Sequence, residues 1–168
     1  MGRIRGGLRG RMGASEESPA QKSAHGLGNA RGQQGDVGEA IFLAKATSLG
    51  MMVAKPWGNC YRFDFIVQGG GSLWRVQGKT CRYMRVGLYH LCMHCSAQRR
   101  ALPYKESEID FVAAYIIPEE TWYIVPVREI VERRTLMFRP RGYPRGDPYP
   151  YYREAWMLLS EPDGITFG

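Results

Sequence analysis

The fold is decided by residues 61–81, which read YRFDFIVQ, then GGGS, then LWRVQGKTC. The outer stretches are rich in β-branched and aromatic residues, and a glycine-rich turn separates them, so the pattern predicts a β-hairpin. A four-residue loop over 69–72 pairs Gln68 with Leu73, and every other pair follows from that one. This register places Asp64 opposite Gln77 and Arg62 opposite Lys79.

Side-chain alternation along the two strands predicts one apolar and one polar face. The polar face carries Asp64, Gln77 and Lys79. Asp64 is the single carboxylate between Ala40 and Lys105, a stretch with ten lysines and arginines. An aspartate in a strand is disfavoured and is costly when it is buried without a partner, so its presence indicates a functional role. The apolar face is predicted to hold Phe63, Phe65, Val67, Trp74 and Val76.

Outward from the hairpin, the sequence predicts a mixed α/β domain. A capping box at Asp36–Glu39 predicts the start of a helix that ends at Gly50. The other predicted elements are a short buried strand over 51–54, a second hairpin over 110–117 and 121–125, a helix over 126–133, an extended loop over 139–152 and a short helix over 152–159. Residues 82–105 are basic and show no clear periodicity.

Composition changes along the chain predict three regions. Residues 1–34 carry six basic residues, frequent glycine and no hydrophobic period, which predicts a flexible basic N-terminal arm. A nucleic-acid-binding arm, a solvated tail and a misassigned start codon fit that segment equally. Residues 35–135 form the predicted core, and residues 136–168 form a loop rich in Pro, Arg and Tyr followed by a short C-terminal helix.

The charge balance favours an anionic partner. The 168 residues have a net charge of +7, and 18 of the 23 basic residues are arginine, whose planar guanidinium suits phosphate. This balance fits a nucleic acid, an anionic membrane face or simple solubility. Since no apolar run reaches the roughly 18 residues of a membrane span, and the N-terminus lacks the apolar part of a secretory signal, we expect a cytoplasmic protein without membrane association.

The predicted polar face suits metal-assisted hydrolysis of a phosphodiester. The carboxylate of Asp64 and the amide oxygen of Gln77 are hard ligands of the kind that Mg²⁺ (or Mn²⁺) prefers. Lys79 could orient the attacking water or stabilise the anionic transition state. Glu39, on the preceding helix, could add an auxiliary carboxylate through a water molecule.

These residues, in this order, resemble the PD-(D/E)xK nuclease superfamily. Gly38-Glu39 on the helix, Arg62-Phe63-Asp64 on one strand and Gln77-Gly78-Lys79 on the next match its motif. The runs DFVAAY from residue 110 and WYIVP from residue 122 are similar to its branch of group I intron-encoded homing endonucleases, in which glutamine also replaces the acidic residue of the (D/E)xK element. The resemblance covers about residues 35–132. It implies a restriction-endonuclease-like αβββαβ core, a divalent metal and cleavage of double-stranded DNA.

Two of the motif residues also have an alternative interpretation, and a third weakens the metal site. Glu39 suits the third position of a capping box, and Asp64 could form a surface pair with Arg62 or Lys79. Gln77 is a neutral ligand and binds a metal less strongly than glutamate does. The alternative function is therefore a catalytically silent nucleic-acid-binding module on the same fold.

Basic and aromatic residues outside the motif predict the contact with DNA. The predicted DNA-binding residues are Arg62, Arg82, Arg85, Arg99 and Arg100. The tyrosines of the 139–153 segment could stack on bases or lie in a proline-stiffened surface loop. Cys92 and Cys95 form a CxxC pair without a spaced partner pair, which makes a structural Zn²⁺ site the less favoured interpretation. Because both DNA strands must be reached, we expect a homo-oligomer, a dimer or tetramer.

Overall fold

The computed structural model describes residues 19–58, 60–93, 103–142 and 145–160, with the side chains of its helix described from residue 32 onwards. The chain divides into two units, residues 1–32 and 33–168, and both sheets belong to the second. Among the described residues, no helix is long and apolar enough to cross a membrane.

The helix α1 covers Pro19–Ser48, so the predicted start at Asp36 is wrong. The glycines between residues 19 and 36 weaken a helix by only about 1 kcal/mol each, and a proline in the first turn is compatible with it. Residues 19–34 of the predicted arm are therefore helical, while residues 1–18 lie outside the described part. The boundaries of the three predicted regions stay a prediction.

The central sheet has five strands. In the order in which they lie side by side, the strands are β1 (Met52–Ala54), β2 (Phe65–Gly69), β3 (Ser72–Cys81), β6 (Phe111–Ile116) and β7 (Thr121–Pro126). β3 and β6 are parallel, and the other neighbours are antiparallel. The sheet is therefore mixed, as predicted. β1 is an exposed edge strand and not a buried one, because β2 alone among the described strands pairs with it.

The register of the central hairpin agrees with the prediction. Phe65 pairs with Val76, and Gln68 pairs with Leu73. The ladder ends at Phe65, however, so Arg62 does not pair with Lys79, and Phe63 packs on the opposite side of the sheet from Phe65. Side-chain alternation holds only while the strand is regular, and β2 begins one residue after Asp64.

A second, three-stranded sheet was not predicted. It has the order β4-β5-β8 and contains β4 (Met84–Arg85), β5 (Leu88–Cys92) and β8 (Thr135–Phe138). These strands are too short to show a hydrophobic period, and β8 pairs with a strand far away in sequence. Where the αβββαβ order places its second helix, between β3 and β6, the described residues form β4 and β5, and residues 94–102 lie outside the described part.

Apolar side chains form two core clusters, and the strand residues of β6 alternate between them. Phe111, Ala113 and Tyr115 belong to the cluster that includes Phe42 of α1, whereas Val112 and Ala114 belong to the cluster that includes the second sheet. Both faces of the central sheet are therefore packed.

The C-terminal half contains short 3-10 helices where longer helices were predicted. Val127–Glu129 occupies the place of the predicted helix over 126–133, and Trp156–Leu159 that of the helix over 152–159. Trp156 and Leu159 are buried against the core. In the predicted loop over 139–152, the described residues include a short 3-10 helix, Pro150–Tyr152. Tyr149 and Tyr152 pack against the core cluster that includes the second sheet, so the structure gives these two tyrosines a packing role.

Candidate active site

Asp64 lies immediately before β2, at the point where β2 separates from β3. One carboxylate oxygen accepts hydrogen bonds from the backbone N–H of Gly78, at 2.9 Å, and from the side-chain amide of Gln77. Burial, followed by the negative charge of Glu39, raises the pKa of Asp64 from 3.8 to about 6. The hydrogen bond from Gly78 and the charges of Lys79 and Lys55 act in the opposite direction. The carboxylate is thus held in place, but its hydrogen bonds and the nearby lysines do not fully offset the cost of burying its charge.

Gln77 is buried and fixes the position of Asp64. Its side-chain nitrogen also donates to the carbonyl oxygen of Gly78, at 2.9 Å. Because both partners are acceptors, the nitrogen of the amide, and not its oxygen, faces Asp64. In this arrangement Gln77 positions the carboxylate, and a role as a metal ligand requires a rotation of its amide.

Lys79 follows Gln77 by two residues in β3, and its ammonium lies 5.6 Å from the ring centroid of Tyr104. The guanidinium of Arg62 lies 4.9 Å from the same centroid. Tyr104 is buried, so its ring holds Lys79 at a defined place by a cation–π contact. Arg62 also pairs with Glu108 at 3.3 Å. Arg62 and Lys79 thus both contact the ring of Tyr104, and they do not pair across the hairpin as predicted.

Glu39 reaches the site because α1 approaches β3 unusually closely at Gly38. A Cβ atom at Gly38 would lie 2.0 Å from the methyl carbon of Thr80 in β3, so only glycine fits there without a shift. The carboxylate of Glu39 forms an ion pair with Lys55, which follows β1. The GE pair of the motif therefore has a physical basis: the glycine permits the contact that carries the acid to the site.

The acidic residues face a cleft of about 400 Å³. Its lining includes Asp36, Glu39, Lys55 and Asp64, together with Tyr61 and Phe63. Asp64 and Glu39 line this cleft, while Gln77 donates a hydrogen bond to Asp64 and Lys79 lies close enough for its charge to lower the pKa of Asp64. Sequence reasoning missed Lys55 and Tyr104, although the positive charge of Lys55 within an acid-poor stretch was visible.

The donor set suits a divalent cation. Among the described residues no group of three or more His, Cys, Asp or Glu side chains forms a ready metal cluster. However, Glu39 and Asp64 lie close enough for the charge of Glu39 to raise the pKa of Asp64. A cation held between two such carboxylates would relieve this repulsion, and oxygen ligands are those that Mg²⁺ prefers.

The predicted DNA-binding residues differ in what the structure shows of them. Arg82 and Arg85 are exposed on and beside β4. Arg62 is engaged by Glu108 and by the carbonyl oxygen of Pro103. Arg99 and Arg100 lie outside the described residues, as does Cys95 of the CxxC pair, while Cys92 is exposed.

A helix packed on a mixed sheet, with an acid at the start of one strand and a QxK triplet in the next, defines a PD-(D/E)XK-type nuclease fold. The family model of PD-(D/E)XK endonucleases matches residues 30–156, and the chain belongs to this family. Among solved structures, it is similar to the bacterial homing endonuclease I-Ssp6803I, with a TM-score of 0.66 and 27% sequence identity, over 76% of this chain and 90% of that one. No curated protein matches this chain.

Proposed function

We propose that the protein is a divalent-metal-dependent endonuclease that hydrolyses phosphodiester bonds of double-stranded DNA. The observation that carries the proposal is the geometry around Asp64: a buried carboxylate oriented by Gln77 and Gly78, beside Glu39, with Lys79 two residues along the same strand. The similarity to a homing endonuclease supports DNA as the substrate.

Asp64 and Glu39 would hold the cation, Mg²⁺ or Mn²⁺. When bound, it would neutralise charge on the phosphate and acidify a water molecule. Gln77 keeps the Asp64 carboxylate in its orientation, or contributes its own oxygen after rotation. Lys79, held against Tyr104, orients the attacking water and stabilises the negative charge that develops on the phosphate.

Exposed arginines indicate which part of the surface would contact DNA. Arg82 and Arg85 are exposed on the stretch from Cys81 to Lys105, which contains no acidic residue, and they supply phosphate contacts in this proposal. A homo-oligomer, which would bring two active sites to two strands, and a cytoplasmic location stay predictions.

The alternative, a silent DNA-binding module, is favoured by one observation. Gln77 presents its donor nitrogen to Asp64, and a cation would bind less tightly to a site that lacks a third carboxylate. Both functions predict binding to DNA, but only the endonuclease cleaves it.

The test is nicking of supercoiled plasmid with Mg²⁺ or Mn²⁺ against EDTA, run beside gel-shift binding. We expect wild-type cleavage with metal only, and a loss of about 100-fold or more in Asp64→Ala and Lys79→Ala with binding retained. Lys45→Ala, which removes an exposed lysine near the end of α1, is the matched control and should cleave normally. Cleavage by Asp64→Ala at the wild-type rate would contradict the assignment, and binding without cleavage in the wild type would establish the silent module.

A further inference from the structure

Lys55 is a charged residue of the site that the family motif does not include. It lies directly after the edge strand β1, and its ammonium forms an ion pair with the carboxylate of Glu39. The same ammonium lies 5.7 Å from the ring centroid of Phe65, the residue that follows Asp64. Lys55 is thus held between the helix that carries Glu39 and the strand that Asp64 precedes.

The surroundings of Lys55 are acidic on more than one side. Asp36, Glu39 and Asp64 line the same cleft as Lys55. The pKa of its ammonium is raised, chiefly by the hydrogen bond to Glu39 and further by the charges of Glu39, Asp64 and Asp36, while burial acts in the opposite sense. The lysine therefore supplies positive charge at the place where the proposed cation would supply it.

A carboxylate oxygen that is paired with an ammonium is less available to a cation. A divalent ion between Glu39 and Asp64 would also lie close to the ammonium, and two like charges at such a distance repel each other. The cleft is open and the Lys55 side chain is 54% exposed, so the side chain has room to leave Glu39.

We propose that Lys55 is the internal counter-ion of the metal-free site: it holds Glu39 in the cleft, and a divalent cation must displace it. This inference rests on the proposed metal-dependent function. It assigns Lys55 a positioning role toward Glu39, which weakens cation binding and keeps the two carboxylates close together while the cation is absent.

The test is calorimetric titration of the full chain with Mn²⁺, without DNA. Lys55→Met keeps the length of the side chain and removes the charge, and we expect it to bind Mn²⁺ about tenfold more tightly than the wild type. Lys45→Met is the matched control and should bind as the wild type does. If Lys55→Met lowers solubility, Lys55→Gln makes the same comparison.

A double-mutant cycle separates this role from a general effect of net charge. In a Glu39→Gln background, Lys55→Met should raise the affinity for Mn²⁺ by much less than in the wild-type background, because the ion pair is already absent and only the direct repulsion between the ammonium and the cation remains. Unchanged or weaker binding in Lys55→Met, with Mn²⁺ bound and DNA cleaved by the wild type, would overturn this inference alone. Absence of Mn²⁺ binding in both the wild type and Lys55→Met would overturn the metal-dependent function as well.

Discussion

At the residue scale, Asp64 shows how a buried charge in the candidate site lowers the stability of the fold. The pKa of Asp64 rises to about 6 because the carboxylate is buried and lies near Glu39. The folded protein therefore binds a proton more readily than the unfolded chain does, and the stability falls as the pH rises from about 4 to 6. Above that range the charged carboxylate destabilises the fold, a cost that is common where function requires a buried charge.

Replacement of Asp64 by asparagine should make the protein more stable and inactive. Above pH 7 we expect Asp64→Asn to gain about 2–3 kcal/mol in the free energy of unfolding, since each pKa unit corresponds to about 1.4 kcal/mol. Near pH 4 the gain should disappear because Asp64 of the wild type is then neutral. Urea denaturation at both pH values, without metal, measures the difference.

Asp110→Asn is the opposite control for that measurement. The Asp110 carboxylate accepts hydrogen bonds from the guanidinium of Arg75 at 2.7 and 3.0 Å, so its loss should lower the stability at pH 7. If Asp64→Asn were also less stable than the wild type above pH 7, the charge of Asp64 would not destabilise the fold, and this prediction would be wrong.

At the scale of the element, the position of α1 depends on one close contact. Gly38 has no Cβ, and this lets the helix lie against Thr80 of β3. Phe42 and Ala46, four and eight residues further on, are buried on the same side of the helix. A short distance between α1 and β3 is therefore what brings Glu39 to the cleft.

Gly38→Ala should move the helix away from β3 and weaken cation binding. The added methyl group meets Thr80, and overpacking costs about 1–3 kcal/mol, against a gain of about 1 kcal/mol in helix propensity. Thr80→Ser removes the methyl carbon that clashes, so the double variant Gly38→Ala/Thr80→Ser should recover Mn²⁺ affinity and stability. Calorimetry and thermal melting measure both effects. No recovery in the double variant would rule out this contact as the cause.

The β4–β5 hairpin is the element that we expect to contact DNA. Changing Arg82 and Arg85 together to alanine should reduce the slope of log affinity against log salt by about one to two units, because fewer counterions are released. Arg128→Ala, which removes an exposed arginine that pairs with Glu129, should leave the slope unchanged. Fluorescence anisotropy on duplex DNA at several salt concentrations measures it. An unchanged slope in the Arg82/Arg85 variant would remove this hairpin from the binding surface.

At the scale of the whole molecule, the C-terminal segment completes the core of the nuclease. The rings of Trp156 and Phe42 lie 5.6 Å apart, and those of Trp156 and Trp122 lie 5.5 Å apart. A Cβ atom at Gly69 would lie 2.1 Å from the carbonyl oxygen of Leu159, so this segment also presses against the β2–β3 turn. The segment thus joins the helix, the sheet and the central hairpin.

Trp156→Ala should therefore be among the most destabilising single changes. We expect a loss of about 3–5 kcal/mol in the free energy of unfolding, because a large buried ring is removed. Trp57→Ala is the matched control: Trp57 is 98% exposed, and its replacement should change the stability by less than about 0.5 kcal/mol. Equal effects of the two changes on guanidinium denaturation would show that the segment does not support the core.

Local patterns were enough to predict the central hairpin and to select most residues of the candidate site. The length of the turn and the alternation of side chains determine the register of β2 and β3, because both act between residues close in sequence. Two observations indicated the candidate site. Asp64 is isolated among basic residues, and Gln77 and Lys79 follow it at the spacing of the family motif. The mixed sheet and the strands β6 and β7 followed from apolar runs of strand length.

Only the tertiary structure decided what depends on contacts between distant parts of the chain. The second sheet joins β5 to β8, and the cation–π contact joins Lys79 to Tyr104. The ion pair of Lys55 and Glu39 likewise crosses from β1 to α1. Neither partner in such a contact carries a local signal for the other, since its energy is gained only after the chain has brought the two together. The sequence by itself thus determined the hairpin and its acid, and the packing of α1 and the second sheet decided which charges surround that acid.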